Sequence, residues 1–327
     1  MPRSDPSAVR ALLGEHAAPC RRALTGEHGI ALPSLTDHHA HLHLIDAHEL
    51  PEHGIAGVVD LGGDPAALAR RPRNGIPRVA YAGAFLTAAG GYPSRQGWAP
   101  PAILRQVTDP STSPGVAGGA GAAVDEQAEF GASVIKIALN EDAGPVFDDG
   151  MLAVLVAAAH GHGLPVVAHV QGGDTARRAI EAGVDALAHT PFTAVLGPEL
   201  IARAASTQAW ISTLDIHRVD ASARAIAVAN LTAFAAAGGR VLYGTDLGNG
   251  DLPVGVNTRE ISALRETGMS AASIVAAMTD PWPAHAGDGA GIATFVAGDS
   301  PQTDDDVAAW LAGAAVVPAE ELIHDED

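Results

Sequence analysis

From about residue 31 onward, short runs rich in valine, isoleucine and leucine alternate with stretches patterned for helices. The runs that read as strands are 32–39, 55–60, 77–85, 134–139, 165–170, 186–189, 210–214 and 241–245. Helical patterns fall between the later ones, near 150–162, 174–182, 198–207, 221–237 and 256–267, and several end on glycine, as at Gly183 and Gly239. Apolar runs alternating with helices indicate an α/β protein with a parallel sheet. Eight strands in one series fit a (β/α)8 TIM barrel, for which about 250 residues is typical. The competing arrangement is a doubly wound open sheet.

Two regions break the alternation. Residues 1–30 read as a helical lead-in, and residues 86–118 are rich in Gly, Pro and Ser. The latter is too long for an ordinary connection and suits a lid or binding loop. The expected division is therefore a helical segment at 1–30, a barrel at 31–300 and a tail at 301–327 made of short helical pieces with an acidic end.

Composition narrows the function. The chain has 327 residues, 47% of them hydrophobic, and a mean hydropathy of +0.14, enough apolar material for a large core. Acids outnumber bases 38 to 19, a formal charge of -19 that repels phosphate backbones and argues against a nucleic-acid partner. There is neither a signal-peptide pattern nor an apolar run long enough for a membrane span, so a cytoplasmic location is expected. The single cysteine, Cys20, is read as an inert or surface thiol. Lys136 is the only lysine among 19 basic residues, and it sits inside the apolar run Ser133-Val-Ile-Lys-Ile-Ala-Leu139, where a charge is costly to bury.

The first strand reads Leu35-Thr-Asp-His-His-Ala-His-Leu-His43. Alternation puts Asp37, His39, His41 and His43 on one face and His38 and Leu42 on the other. Histidines two residues apart at a strand end can bind one metal through neutral imidazole nitrogens. Lys136 lies in the fourth strand, His169 closes the fifth, His189 the sixth, and Asp246 follows the eighth. Each alone has a bland reading, as a hydrogen-bonded core histidine or a helix cap. A barrel would bring all of these strand ends to one mouth.

That order of residues resembles the amidohydrolase superfamily, and the local sequences resemble its imidazolonepropionase-like and metal-dependent prolidase-like branch. The motifs are DHHAH (37–41), VVDLGGD (58–64), AGAFLTAAGGYP (82–93), VIKIAL (134–139), VVAHV (166–170), DALAHTPF (185–192) and YGTDLG (243–248). The resemblance implies two divalent metal ions, zinc first, with Mn2+ or Fe2+ as alternatives. His39 and His41 would bind the more buried ion and His169 and His189 the more exposed one. Lys136, carboxylated by CO2, would bridge them as a carbamate. Asp246 would be both ligand and catalytic proton shuttle. Burial favours the neutral lysine that reacts with CO2, and metal lowers the pKa of bound water. The chain departs from the family in one respect: the β-sandwich before and after the barrel looks reduced or absent, and only 291–298 resembles its returning segment.

The resemblance therefore implies a metal-dependent hydrolase. It would cleave a C–N bond of a small amide, N-acyl amino acid, dipeptide or cyclic amide through a metal-bridging hydroxide. A deaminase of an aminated heterocycle and an ester or lactone hydrolase are the enzymatic alternatives. A non-catalytic metal- or ligand-binding barrel is the alternative from another class. Tyr92, Arg95 and Trp98 in the long loop, and His217 and Arg218 after the seventh strand, are candidate substrate contacts, with the arginines suited to a carboxylate. His43 is either an orienting partner or a packed histidine, and His160, His162 and His285 read as surface or loop residues. The partner is a small-molecule substrate, with no membrane or nucleic acid, and a homo-oligomer is allowed.

Overall fold

The computed structural model describes residues 5–72, 74–283 and 291–324. A helix at Pro6–Leu13 precedes β1 (Ala18–Arg22) and β2 (His28–Leu32). Next come β3 (Thr36–Ala40), β4 (Gly57–Asp60), β5 (Arg78–Tyr81), β6 (Phe85–Thr87) and β7 (Leu104–Gln106). The later half carries β8 (Ile135–Asn140), β9 (Val166–Gln171), β10 (Ala186–Leu187), β11 (Ala209–Ile211) and β12 (Arg240–Leu242). Finally come β13 (Ile292–Ala297), β14 (Ala314–Pro318) and β15 (Leu322–His324). Each of the eight runs read as extended overlaps a strand, and the third divides into β5 and β6.

These elements make a mixed α/β fold around parallel sheets. One sheet has the order β3-β4-β5 and the other β12-β11-β10-β9-β8-β6-β7, and neighbours in both run parallel. Backbone hydrogen bonds also join the two. Ser133 N donates to the Tyr81 carbonyl (2.8 Å), His38 N to the Tyr243 carbonyl (3.0 Å) and His41 N to the Leu247 carbonyl (2.8 Å). One apolar cluster includes Val59, Ala80, Val167, Ala186, Ile211 and Leu242, drawn from both sheets. The strands are buried on both faces, which is why they read as continuous apolar runs.

Helices at Ala120–Glu129, Asp149–Gly161, Thr175–Ala182, Pro198–Thr207 and Ala221–Ala236 pack each against the next. Their starts are coded locally: Asp148 accepts from Met151 N, and Asp220 accepts from Ser222 N and Ala223 N. The helix Thr175–Ala182 ends at Gly183 with φ 81°, a left-handed conformation that costs glycine little. Trp210 of β11 and Phe234 of the following helix stack at 4.0 Å with both side chains fully buried, fixing that helix to its strand.

The termini differ from the sequence expectation. Residues 18–32 are not helical: β1 and β2 join β13, β14 and β15 in a five-stranded sheet of order β14-β13-β2-β1-β15. All its pairings are antiparallel. The expected helical lead-in is thus only the Pro6–Leu13 turn of the segment, and the N-terminal partners of residues 291–298 are present. The tail likewise supplies two strands besides a short helix at Val307–Leu311. Cys20 is buried here against Ala31, Phe295, Val317 and Leu322. Among the described residues no helix is long and apolar enough to cross a membrane.

Candidate active site

The C-terminal ends of the parallel strands bring His39, His41 and Asp246 together. One potential ligand atom from each lies within 4.8 Å of the others, and all three side chains are buried. The same Asp246 Oδ1 is 3.1 Å from His39 Nε2 and 3.2 Å from His41 Nε2. The orientation of the rings settles what these atoms offer. His39 Nδ1 is 2.8 Å from the Ala188 carbonyl, and His41 Nδ1 is 3.2 Å from the Gly62 carbonyl. A carbonyl can only accept, so each Nδ1 donates its proton there and each Nε2 is the atom turned toward Asp246. Burial holds His39 well below its usual pKa despite the pull of Asp246, which keeps that imidazole neutral. His39 Nε2 is buried without a hydrogen-bond partner. Two imidazole Nε2 atoms and a carboxylate oxygen converging in one buried site are a donor set that suits a divalent cation.

The surrounding backbone is built to hold this arrangement. Asp37, buried beneath His39, accepts from His39 N and Thr245 N at 3.0 Å each and from the Thr245 hydroxyl at 2.6 Å. Burial raises its pKa to about 6, with those hydrogen bonds offsetting part of the shift. Asp60 takes Leu42 N (2.8 Å) and Gly62 N (3.0 Å), tying the residue after His41 to the one whose carbonyl contacts its ring. A Cβ at Gly244 would lie 2.3 Å from Ile211 Cγ2 and 3.2 Å from His39 Cβ, so glycine lets this segment pass beside the histidine. Asp246 itself has φ 59°, uncommon outside glycine, and Asn249 Nδ2 donates to its Oδ2 at 2.8 Å.

His169, His189 and Lys136 face the same cavity, whose volume is about 360 Å³. The His189 ring centroid is 4.7 Å from that of His39 and 4.9 Å from that of His169. Burial lowers His169 to about 3 and His189 well below the usual range, so both rings are neutral. His189 Nδ1 is 2.9 Å from the Thr213 hydroxyl, and Thr213 has φ 44°, a strained conformation for a β-branched residue. His169 Nε2 is 3.4 Å from Asn140 Nδ2, which donates to Gln171 Oε1 at 2.9 Å. Lys136 is almost wholly buried, and burial lowers its pKa to about 7 against the opposing charges of Asp246 and Asp60. A large fraction of this amine is neutral at ordinary pH.

Of the candidate substrate contacts, Tyr92 and Trp98 wall the cavity. Tyr92 stacks on His169 at 5.0 Å, and burial holds its phenol protonated. Arg95, His217 and Arg218 are not on the wall. Arg95 and Arg218 are exposed, and Arg218 Nη2 donates to the Asp251 carbonyl at 3.2 Å. His217 is buried behind Phe192, with ring centroids 4.3 Å apart. His43 lies in a turn beyond β3, exposed and stacked 6.4 Å from Trp98. His160 and His162 sit on the surface beside Asp185 and Asp125, and His285 falls outside the described residues. Phe85, Phe192, Asn140, Gln171 and Asn249 complete much of the wall. Asn140 and Gln171 were legible in principle, because each lies an even number of positions beyond Lys136 and His169 and therefore shares their face.

No protein-family model and no curated protein sequence matches the chain. Its fold is that of several solved hydrolases. It is similar to a Xaa-Pro dipeptidase with bound methionine in the active site, at TM-score 0.66 and 19% identity over 90% of this chain and 87% of that one. It is also similar to the ochratoxinase of A. niger, at 0.68 and 20% over 87% and 81%. A putative prolidase from Bifidobacterium longum matches at 0.67 and 21% over 90% and 80%.

Proposed function

We propose that the chain is a metal-dependent amidohydrolase that cleaves the C–N bond of a small amide at the ends of a closed (β/α)8 barrel. Closure is supported by the hydrogen bonds from residues 38–41 to 243–247, which link the first strand of the series to the segment extending the last. The shared apolar cluster supports it as well. The observation that carries the function is the convergence of His39 Nε2 and His41 Nε2 on one buried carboxylate oxygen.

In this reading His39, His41 and Asp246 hold one divalent ion, with zinc the first choice. His169 and His189 would hold a second, and Lys136, as a carbamate, would offer its oxygens to the centre. The neutral Lys136 amine adds to CO2, forming an N–C bond and releasing a proton to solvent. Divalent ions at such a centre lower the pKa of water and polarise a carbonyl oxygen.

The chain's own residues then divide the work. Asp246 takes a proton from the attacking water and delivers it to the departing nitrogen, which leaves as a neutral amine. Asn249 holds the second oxygen of that carboxylate, so Oδ1 keeps facing the histidines. The Ala188 and Gly62 carbonyls fix the His39 and His41 rings, and Thr213 fixes His189. Tyr92 retains its proton and can donate it in a hydrogen bond to the substrate carbonyl. Phe85, Trp98 and Phe192 exclude bulk water.

The test is reconstitution with zinc and bicarbonate, elemental analysis, and a panel of amides read for acid and amine products. The expected result is close to two ions per chain and amide cleavage that a chelator abolishes while the fold persists. Metal at trace level after reconstitution overturns the reading. Release of ammonia from aminated heterocycles, with no amide cleaved, assigns the site to deamination instead.

A further inference from the structure

Six of the side chains around the centre are apolar or aromatic: Leu44, Phe85, Tyr92, Trp98, Phe192 and Ile216. They form two groups. Trp98 meets Phe85 and Tyr92 with ring centroids at 6.1 and 6.2 Å, both edge-to-face. Phe192 and Ile216 follow β10 and β11, separated from the first group by β8 and β9 in the strand order. Leu44, 39% exposed, adds apolar surface at the same cavity.

The charged side chains on this wall, among the described residues, are Lys136 and Asp246, both used by the centre itself. The other polar side chains there are amides, imidazoles and the Tyr92 phenol. The arginines that could have received a carboxylate, Arg95 and Arg218, are exposed and off the wall. The formal charge of -19 further disfavours the approach of anions. A carboxylate entering such a wall meets no fixed cationic side chain, and only the ions of the centre could neutralise it, at the place the scissile amide itself must occupy. An aromatic ring, by contrast, gains burial and edge-to-face contacts.

We propose, resting on the amide-hydrolase reading, that the substrate is an uncharged amide carrying an aromatic or branched apolar group beside the scissile bond. That group sits between Phe85 and Trp98 on one side and Phe192 and Ile216 on the other. A cavity of about 360 Å³ holds one ring and a short amide, not a polymer. Free dipeptides and N-acyl amino acids are disfavoured by the same wall.

The experiment uses the metal-loaded chain and two matched series. Acetanilides place the ring on the nitrogen side, and N-methylbenzamides place it on the acyl side. Each is made with a para-methyl or a para-carboxylate group, and N-methylacetamide serves as the ringless reference. In at least one series the methyl compound is expected to exceed its carboxylate partner and the reference in kcat/KM by about tenfold or more. Trp98→Ala and Phe192→Ala are each expected to narrow that ratio. Equal or preferred turnover of the carboxylates in both series overturns the inference while leaving amide hydrolysis standing. If no compound is cleaved, the functional reading fails, and calorimetric binding of the same compounds decides the inference. Tighter binding of the methyl compounds, again by about tenfold, supports it, and equal or weaker binding overturns it.

Discussion

Replacing Glu260 by glutamine tests the buried framework beneath the mouth through pH-dependent stability. Glu260 lies on the helix Thr258–Glu266, wholly buried, with Oε2 accepting from Asp215 N at 2.7 Å. Asp215 is itself buried, bound by Arg259 at 2.9 Å and by Asn257 Nδ2 at 2.9 Å. Burial raises Glu260 from 4.5 to about 7, with hydrogen bonds from the 212–215 segment offsetting part and the Asp215 charge adding to the rise. Between those two values the native state holds a proton that the unfolded chain releases, so stability falls as pH rises through the interval and levels off above it. At about 1.4 kcal/mol per pKa unit, the loss amounts to about 3 kcal/mol. Glutamine keeps an acceptor for Asp215 N and does not titrate. Urea unfolding of both metal-free proteins at pH 5 and pH 8 should show the variant gaining roughly 2–3 kcal/mol on wild type between the two. A difference between the proteins that stays constant within about 0.5 kcal/mol would refute the reasoning, since it would mean that Glu260 is not held protonated by burial.

Three further outcomes follow from the centre. Asp246→Asn should lower turnover by about 10²-fold or more, because the amide cannot shuttle the proton, while the four histidines retain most of the metal. Thr213→Val, which removes the hydroxyl beside His189 but keeps the shape, should weaken metal binding about 10- to 100-fold in a chelator competition, with Thr213→Ser restoring it. Lys136→Met should bind metal without any dependence on bicarbonate, whereas wild-type occupancy should rise when bicarbonate is added to the reconstitution buffer.

Much of the fold was readable because the parallel strands are buried on both faces. Burial makes them continuous apolar runs, and the helices between them carry their own start and stop signals, Asp148, Asp220 and Gly183 among them. The five-stranded sheet was not readable for the opposite reason. β1 runs Ala-Pro-Cys-Arg-Arg and β2 His-Gly-Ile-Ala-Leu, short segments with no sustained alternation. Their partners β13, β14 and β15 lie at the far end of the chain. Strands whose stability comes from such distant pairing leave little local trace, and the alanines, leucine and arginines around Pro19 favour helix by propensity although the proline itself does not.

The site shows where that local legibility ends. Histidines, the lone lysine and an aspartate after apolar runs announce themselves because burying such groups is costly, so their positions carry information one residue at a time. The aromatic wall carries none of that signal: Phe85 and Phe192 look like ordinary core residues until the ends of β6 and β10 are brought beside His41 and His189. Arg95 and Arg218 mislead in the other direction, since an arginine in a loop is legible but its direction is not, and both are exposed and off the cavity wall. The candidate metal ligands are therefore legible in residue identity, while the proposed substrate preference rests on tertiary placement. The aromatic character of the cavity emerges only when side chains from β6 and from the segments after β10 and β11 are seen to share one space with Lys136 and Asp246.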